Sequence, residues 1–181
     1  MYNLSLTACS FHLKKANSKG NTQIFNLNTP FDVELEDDSK YHFEDLSELF
    51  ISFFENHKTL IKDDSKQQSF RCEYDKKNYR ETDLFRMYCV KIYSGIYGSS
   101  SDIIDGNTEK VRYKKKSSDI DTRPFYLMII IPKDNEKVTV QKGMFIFQNV
   151  GQFGVKTITT TLMQKFFSDK FGFTLKCNTI A

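Results

Sequence analysis

Tryptophan is absent from the sequence, proline occurs three times and glycine eight, and no apolar run is longer than Phe125–Ile131. A helix that crosses a bilayer takes about 20 consecutive apolar residues, so that run excludes one. The first 30 residues hold His12, Lys14 and Lys15 where a secretory leader would need its apolar stretch. These absences predict a soluble, cytoplasmic chain with no membrane contact. The four cysteines, Cys9, Cys72, Cys89 and Cys177, have no short spacing, and the three histidines are scattered, so no metal site or disulfide framework is expected. No Gly-x-Ser-x-Gly elbow and no complete set of nucleophile, base and orienting group occurs. We therefore read the chain as non-enzymatic and expect no cofactor.

What is present is a globular composition of 181 residues, 39% hydrophobic and 27% charged, with 17 Phe and 9 Tyr to build an aromatic core. The length suits one domain spanning 1–181. A last strand that finishes on Thr179-Ile180-Ala181 without a polar tail reads as a chain cut at an internal point, so the natural protein is expected to continue beyond it. The net charge of +3 hides an asymmetry: residues 1–64 carry 6 Lys/Arg against 11 Asp/Glu, and residues 65–181 carry 20 against 12. Such a split suits two surfaces with different partners, or acidic and basic surfaces of neighbouring copies meeting.

Periodicity predicts an α+β fold, a largely antiparallel twisted β-sheet of six to eight strands with two principal amphipathic helices packed on it. Tyr2, Leu4, Leu6 and Ala8 alternate with polar residues and open a strand. Phe43, Leu46, Leu49, Phe50, Phe53, Phe54 and His57 recur at helical spacing, with Glu44 and Asp45 in the first turn. Phe125–Ile131 is apolar on both faces and reads as a central strand. Gly95, Gly98 and Gly143 mark candidate bends or irregularities in strands. A second helix uses Val155, Ile158, Leu162, Met163, Phe166 and Phe167, with Gly172 as its C-terminal cap.

Two stretches carry binding chemistry. Ile103-Ile104, Asp105-Gly106-Asn107-Thr108 and Val111-Arg112-Tyr113 have hairpin form. If the second strand is extended, Lys110, Arg112, Lys114 and Lys116 recur on one face every ~6.6 Å, a rail that can track phosphates. Lys115 and Arg123 add to the basic set. Edge protection against unwanted strand pairing accounts for the same composition. In the other stretch, Gly151-Gln152-Phe153-Gly154-Val155-Lys156-Thr157 follows a strand-like run and enters a helix. This is the order that aims backbone amides at an anion, which nominates Gly151, Gly154, Lys156 and Thr157. It is not a nucleotide-binding P-loop, because Val155 separates Gly154 from Lys156. A lysine in a first helical turn is unfavourable unless an anion sits there, which supports the anion reading.

A third pattern, Asp75-x-Lys77, with Asp63 or Asp64 as partner, matches part of a metal-dependent nuclease site. The sheet lacks the aromatic motif of single-strand RNA modules. The block from Gly95-Ile96-Tyr97-Gly98 through Pro124-Phe125 to Phe147-Gln148-Asn149-Val150-Gly151 resembles uncharacterised bacterial proteins of phage-defence neighbourhoods, a resemblance that assigns no functional residue. The leading expectation is a nucleic-acid-backbone-binding domain of a defence or mobile-element protein. The alternative is an assembly module, forming homo-oligomers or docking a protein partner through the acidic segment 32–48. A third is a nuclease or nucleotide hydrolase whose site is completed elsewhere.

Overall fold

The computed structural model describes residues 3–16, 22–34, 40–135 and 139–180. The acidic run Glu36-Asp37-Asp38 lies outside the described residues.

In chain order the strands are β1 (Leu4–Ala16), β2 (Thr22–Ile24), β3 (Phe31–Glu34) and β4 (Lys40–Phe43), followed by helix α1 (Leu46–Asn56). Next come β5 (Ile61–Asp63), β6 (Gln68–Glu73), a 3₁₀ turn (Lys76–Asn78), β7 (Tyr79–Glu81), β8 (Phe85–Ile96), β9 (Ser101–Ile104) and β10 (Val111–Lys115). The chain closes with β11 (Asp121–Pro132), β12 (Gly143–Val150), β13 (Phe153–Gly154), helix α2 (Lys156–Phe171) and β14 (Phe173–Thr179). The main sheet runs β14-β1-β12-β11-β8-β6-β5, with β2, β7 and β13 attached to β1, β8 and β12. Its pairings are antiparallel. The ten strands of this sheet among the described residues exceed the expected six to eight because β2, β7 and β13 are pieces of two or three residues, too short to show a period. The fold is α+β, a mostly antiparallel sheet with two helices.

Helix α1 starts where its cap sits. Asp45 is extended at φ −162° and its carboxylate accepts the Ser47 N–H at 2.6 Å, while the Glu48 carboxylate reaches back to the Glu44 N–H at 3.1 Å. Phe43, expected at the head of the helix stripe, instead ends β4 and pairs with Phe31. Helix α2 stops at Gly172, whose left-handed φ of 66° lets its N–H reach back to the last turn. Among the described residues, no helix is long and apolar enough to cross a membrane.

Both helices lie on one face of the sheet, and the phenylalanines fill the layer between. Thirteen of the 17 Phe are buried, which assigns the aromatic bias to the core. Phe11 of β1 stacks on Phe145 of β12 at 4.2 Å, and Phe50 of α1 meets both edge-on at 5.4 and 5.6 Å. Gly143 opens β12 opposite Phe11, where a Cβ would sit 2.3 Å from the Phe11 ring. Gly95 lies within unbroken pairing to both neighbouring strands, and there a Cβ would sit 2.2 Å from the Asp121 carbonyl oxygen. The expected irregularities at Gly95 and Gly143 are therefore close approaches of other groups to the backbone.

Strand β11 is central, between β12 and β8. Phe125, Leu127, Ile129 and Ile131 face the helices and are buried, whereas Tyr126 and Met128 remain 47% and 37% exposed on the opposite face. Its two-sided apolar character thus serves a sheet that, among the described residues, carries helices on one face only.

Candidate nucleic-acid interface

The β9–β10 hairpin forms a two-stranded sheet of its own, and all of its strand residues except Lys115 are exposed. Its turn is organised by Asp105, whose carboxylate accepts the N–H groups of Asn107 at 2.8 Å and Thr108 at 3.1 Å. Glu109 takes a left-handed φ of 55° to close the turn, and its N–H donates to the Asp105 carbonyl at 2.8 Å. These backbone donors, helped by the Arg112 guanidinium, hold the Asp105 carboxyl below the usual carboxylate range. Arg112 forms an ion pair with Asp105. Strand pairing slips between Val111 and Tyr113, a β-bulge at Arg112. The one-face ladder expected for Lys110, Arg112, Lys114 and Lys116 is therefore interrupted, and Arg112 turns back onto its own turn.

At the hairpin's base the Tyr113 hydroxyl donates to the Asp119 carboxylate, which also accepts the Lys116 N–H at 2.8 Å. That contact raises the Tyr113 pKa and lowers that of Asp119. Among the described residues no carboxylate forms an ion pair with Lys110, Lys114, Lys115 or Lys116.

The glycine turn is a tight hairpin. Gly151, at φ 60°, and Gln152 connect β12 to β13, with Val150 opposite Phe153 and Asn149 opposite Gly154. Gly154 has no room for a side chain, since a Cβ would meet the Asn149 amide oxygen at 2.3 Å. Arg123 of β11 stacks on Phe153, its guanidinium carbon 4.3 Å from the ring centre. Gln68, Ser94, Arg123, Phe153 and Gly154 border a cleft of about 130 Å³ at this end of β8 and β11. The β9–β10 ribbon is the connection between the same two strand ends, anchored where the Gly98 N–H donates to the Ser117 carbonyl at 2.8 Å. The fold thus brings Arg123 and Gly154 together, at the end of the sheet from which the lysine ribbon leaves.

Lys156 and Thr157 occupy the first turn of α2. The N-cap, Val155, is buried and offers no side-chain acceptor. Lys156 donates through Nζ to the Thr179 hydroxyl, which ties the helix start to β14. That contact gives the lysine a local partner, where the sequence led to the expectation of an anion.

The other sequence candidates have local work as well. The Asp75 carboxylate caps the 3₁₀ turn by accepting the Lys77 N–H at 2.9 Å. Asp63 accepts from Ser65, and Asp64 accepts the Tyr97 hydroxyl at 2.6 Å, which pushes the Tyr97 pKa up to about 12. Among the described residues no group of three or more His, Cys, Asp or Glu is placed to hold a metal. In the 32–48 segment Asp45 pairs with Arg86 at 3.0 Å, while Asp32 bonds His42 at 2.7 Å and raises its pKa.

Sequence reasoning passed over the uncovered sheet face. There Arg71 lies 4.4 Å and Lys91 4.8 Å from the centre of the Tyr93 ring. Lys91 and Tyr93, two apart on one strand, were the available signal; Arg71 and Tyr126 join them only through strand register. Comparison of the chain with protein-family models, with curated proteins and with solved structures returns no match.

Proposed function

We propose that this chain is a non-enzymatic domain that binds the phosphate backbone of nucleic acid through the β9–β10 ribbon, with Arg123 beside its base. The observation that carries the proposal is the exposed, separate ribbon whose four lysines form no ion pair among the described residues. A two-stranded ribbon is narrow enough to enter a major groove, and its lysines also suit a single strand. The glycine turn contributes Gly151 and Gly154 as the hairpin beside Arg123, with Lys156 and Thr157 in the first turn of the helix that follows. The resemblance of the 95–151 block extends the proposal to a bacterial defence or mobile-element setting.

Lys110, Lys114, Lys116 and Arg123 together would neutralise about four phosphates, which gives a log–log salt slope of roughly −3 to −4. Replacing Lys110, Lys114 and Lys116 by Ala is expected to flatten that slope by about 2–3, and Arg112→Ala to leave it nearly unchanged because Arg112 is spent on Asp105. Fluorescence anisotropy of labelled oligonucleotides across salt concentrations measures both. Affinity unaffected by the triple replacement refutes the proposal.

A second reading is assembly through the acidic segment. It is favoured by β3–β4, a separate two-stranded sheet followed by Glu44, with Asp32 and Glu44 side chains 67% and 72% exposed. Light scattering at low and high salt tests it, since such contacts weaken as ionic strength rises.

A further inference from the structure

The uncovered face of the main sheet has an ordered chemistry. Ala8, Ile146, Met128 and Cys89 stand directly opposite one another across β1, β12, β11 and β8, and Met144, Ile130 and Met87 form the next row. Toward β6 this apolar floor gives way to Tyr126, Lys91, Tyr93 and Arg71. Tyr126 opposes Lys91 and Pro124 opposes Tyr93, so the two tyrosines occupy diagonal positions on neighbouring strands. Diagonal neighbours are about 7–8 Å apart. That is about twice the ~3.4 Å rise per nucleotide of a stacked strand, so successive bases reach both rings only by unstacking, as a single strand can and a duplex cannot.

The charge on this face is one-sided. Among the described residues, register places Lys14, Lys176, Arg71, Arg80 and Lys91 on it, against one carboxylate, Glu73, which stands opposite Lys91. His12, on the same face, has its pKa lowered by burial and then by Lys14, Lys142 and Lys176. Two copies of this chain stacked through these faces would oppose cations to cations, so the complementary occupant is a polyanion that also offers flat apolar groups. A single-stranded nucleic acid supplies both: phosphates for the cations, bases for the tyrosines and for the Arg71 guanidinium lying over Tyr93.

We infer that the uncovered sheet face is a stacking platform for single-stranded nucleic acid, with Tyr126 and the Arg71–Tyr93 pair seating neighbouring bases and Lys91 meeting the phosphate between them. The inference rests on the backbone-binding proposal and assigns that reading its ligand class. In it the ribbon supplies charge and the sheet face supplies selectivity for an unpaired strand.

The test is anisotropy with a labelled single-stranded 12-mer and the matching duplex, on the full chain and on Tyr126→Ala, Tyr126→Phe and Tyr93→Ala. Tyr126 is half exposed, so its replacement leaves the core untouched and keeps the test independent of folding. Each Tyr→Ala change is expected to weaken single-strand binding by about 5- to 100-fold, with the salt slope unchanged, because stacking releases no counterions. Tyr126→Phe should retain most of the affinity, and duplex binding should not respond to any of the three. Tyr→Ala variants that bind the single strand like the parent overturn the platform while the ribbon variants still test the backbone proposal. If neither oligonucleotide binds at low salt, both fall. A dimer that Met128→Asp dissolves would assign the face to a second copy and overturn the inference.

Discussion

Phe50→Ala is the perturbation that most directly interrogates the aromatic layer. Phe50 is fully buried, and its ring meets Phe11, Phe145 and Phe167 at centroid distances of 5.4, 5.6 and 5.5 Å, with interplanar angles of 82°, 83° and 69°. It therefore joins α1 to two sheet strands and to α2 at once. Replacing a core Phe by Ala costs about 3–5 kcal/mol. Each edge-on ring pair adds about 0.5–1.5 kcal/mol beyond the area it buries, so three such pairs put this site in the upper half of that range. A loss of about 4–5 kcal/mol is a large part of the roughly 5–15 kcal/mol that stabilises a domain. For a domain of this size it corresponds to a Tm decrease of about 8–20 °C. Urea unfolding followed by circular dichroism should show a lower midpoint at unchanged slope. Leu84→Ala, at a side chain 67% exposed, is the control and should stay within about 0.5 kcal/mol of the parent. A Phe50→Ala loss below about 2 kcal/mol at unchanged slope would refute the idea that this ring joins the layers.

Gly143→Ala should destabilise the chain by about 1–3 kcal/mol, because the new methyl group would have to displace the Phe11 ring, whereas Gly106→Ala has open space around it and should be nearly neutral; thermal unfolding of the pair checks this. Glu81 accepts from Lys133 at 2.7 Å and from the Tyr79 hydroxyl at 2.5 Å, contacts that pull its carboxyl from 4.5 down to about 2. A carboxylate depressed in the folded state stabilises above its unfolded pKa and loses that contribution as pH falls through the folded value. The stability difference between the parent and Glu81→Gln should therefore shrink between pH 4.5 and about 2, and a difference constant over that window would refute the assignment.

The elements most legible in the sequence were those whose period repeats several times. Leu46 to Phe54 returns to one helix face often enough to define α1, but Phe43 fits the same spacing, and only the Asp45 cap assigns it to β4. Gly172 was readable as a cap because a left-handed residue after a helix is a local demand. Register is not local. The alternation of Lys110, Arg112 and Lys114 describes a regular strand, and it contains no sign that pairing slips at Arg112 or that Asp105 waits for its guanidinium. The same limit hid the sheet-face cluster. Arg71, Tyr93 and Tyr126 come from three strands, and nothing in any one of them says which face of β11 the helices leave open.

The first strand of this chain waits for the last. β1 is held between β12 and β14, with Phe11 opposite Gly143 on one side and Cys9 opposite Thr179 on the other, so the pairings that seat it span most of the sequence. Contacts of that separation have to close a long loop before they return any energy, which slows folding. During synthesis at about 5–20 residues per second, β1 spends on the order of ten seconds without either neighbour. In that interval Phe11 and Leu13 have no sheet to pack into, and apart from the Lys14–Ala16 end that β2 can pair, both edges of the strand are open to pairing with other chains. The hairpin of β8 and β11 needs none of the later strands and can form first, which leaves capture of the N-terminal strand as the closing event of the fold.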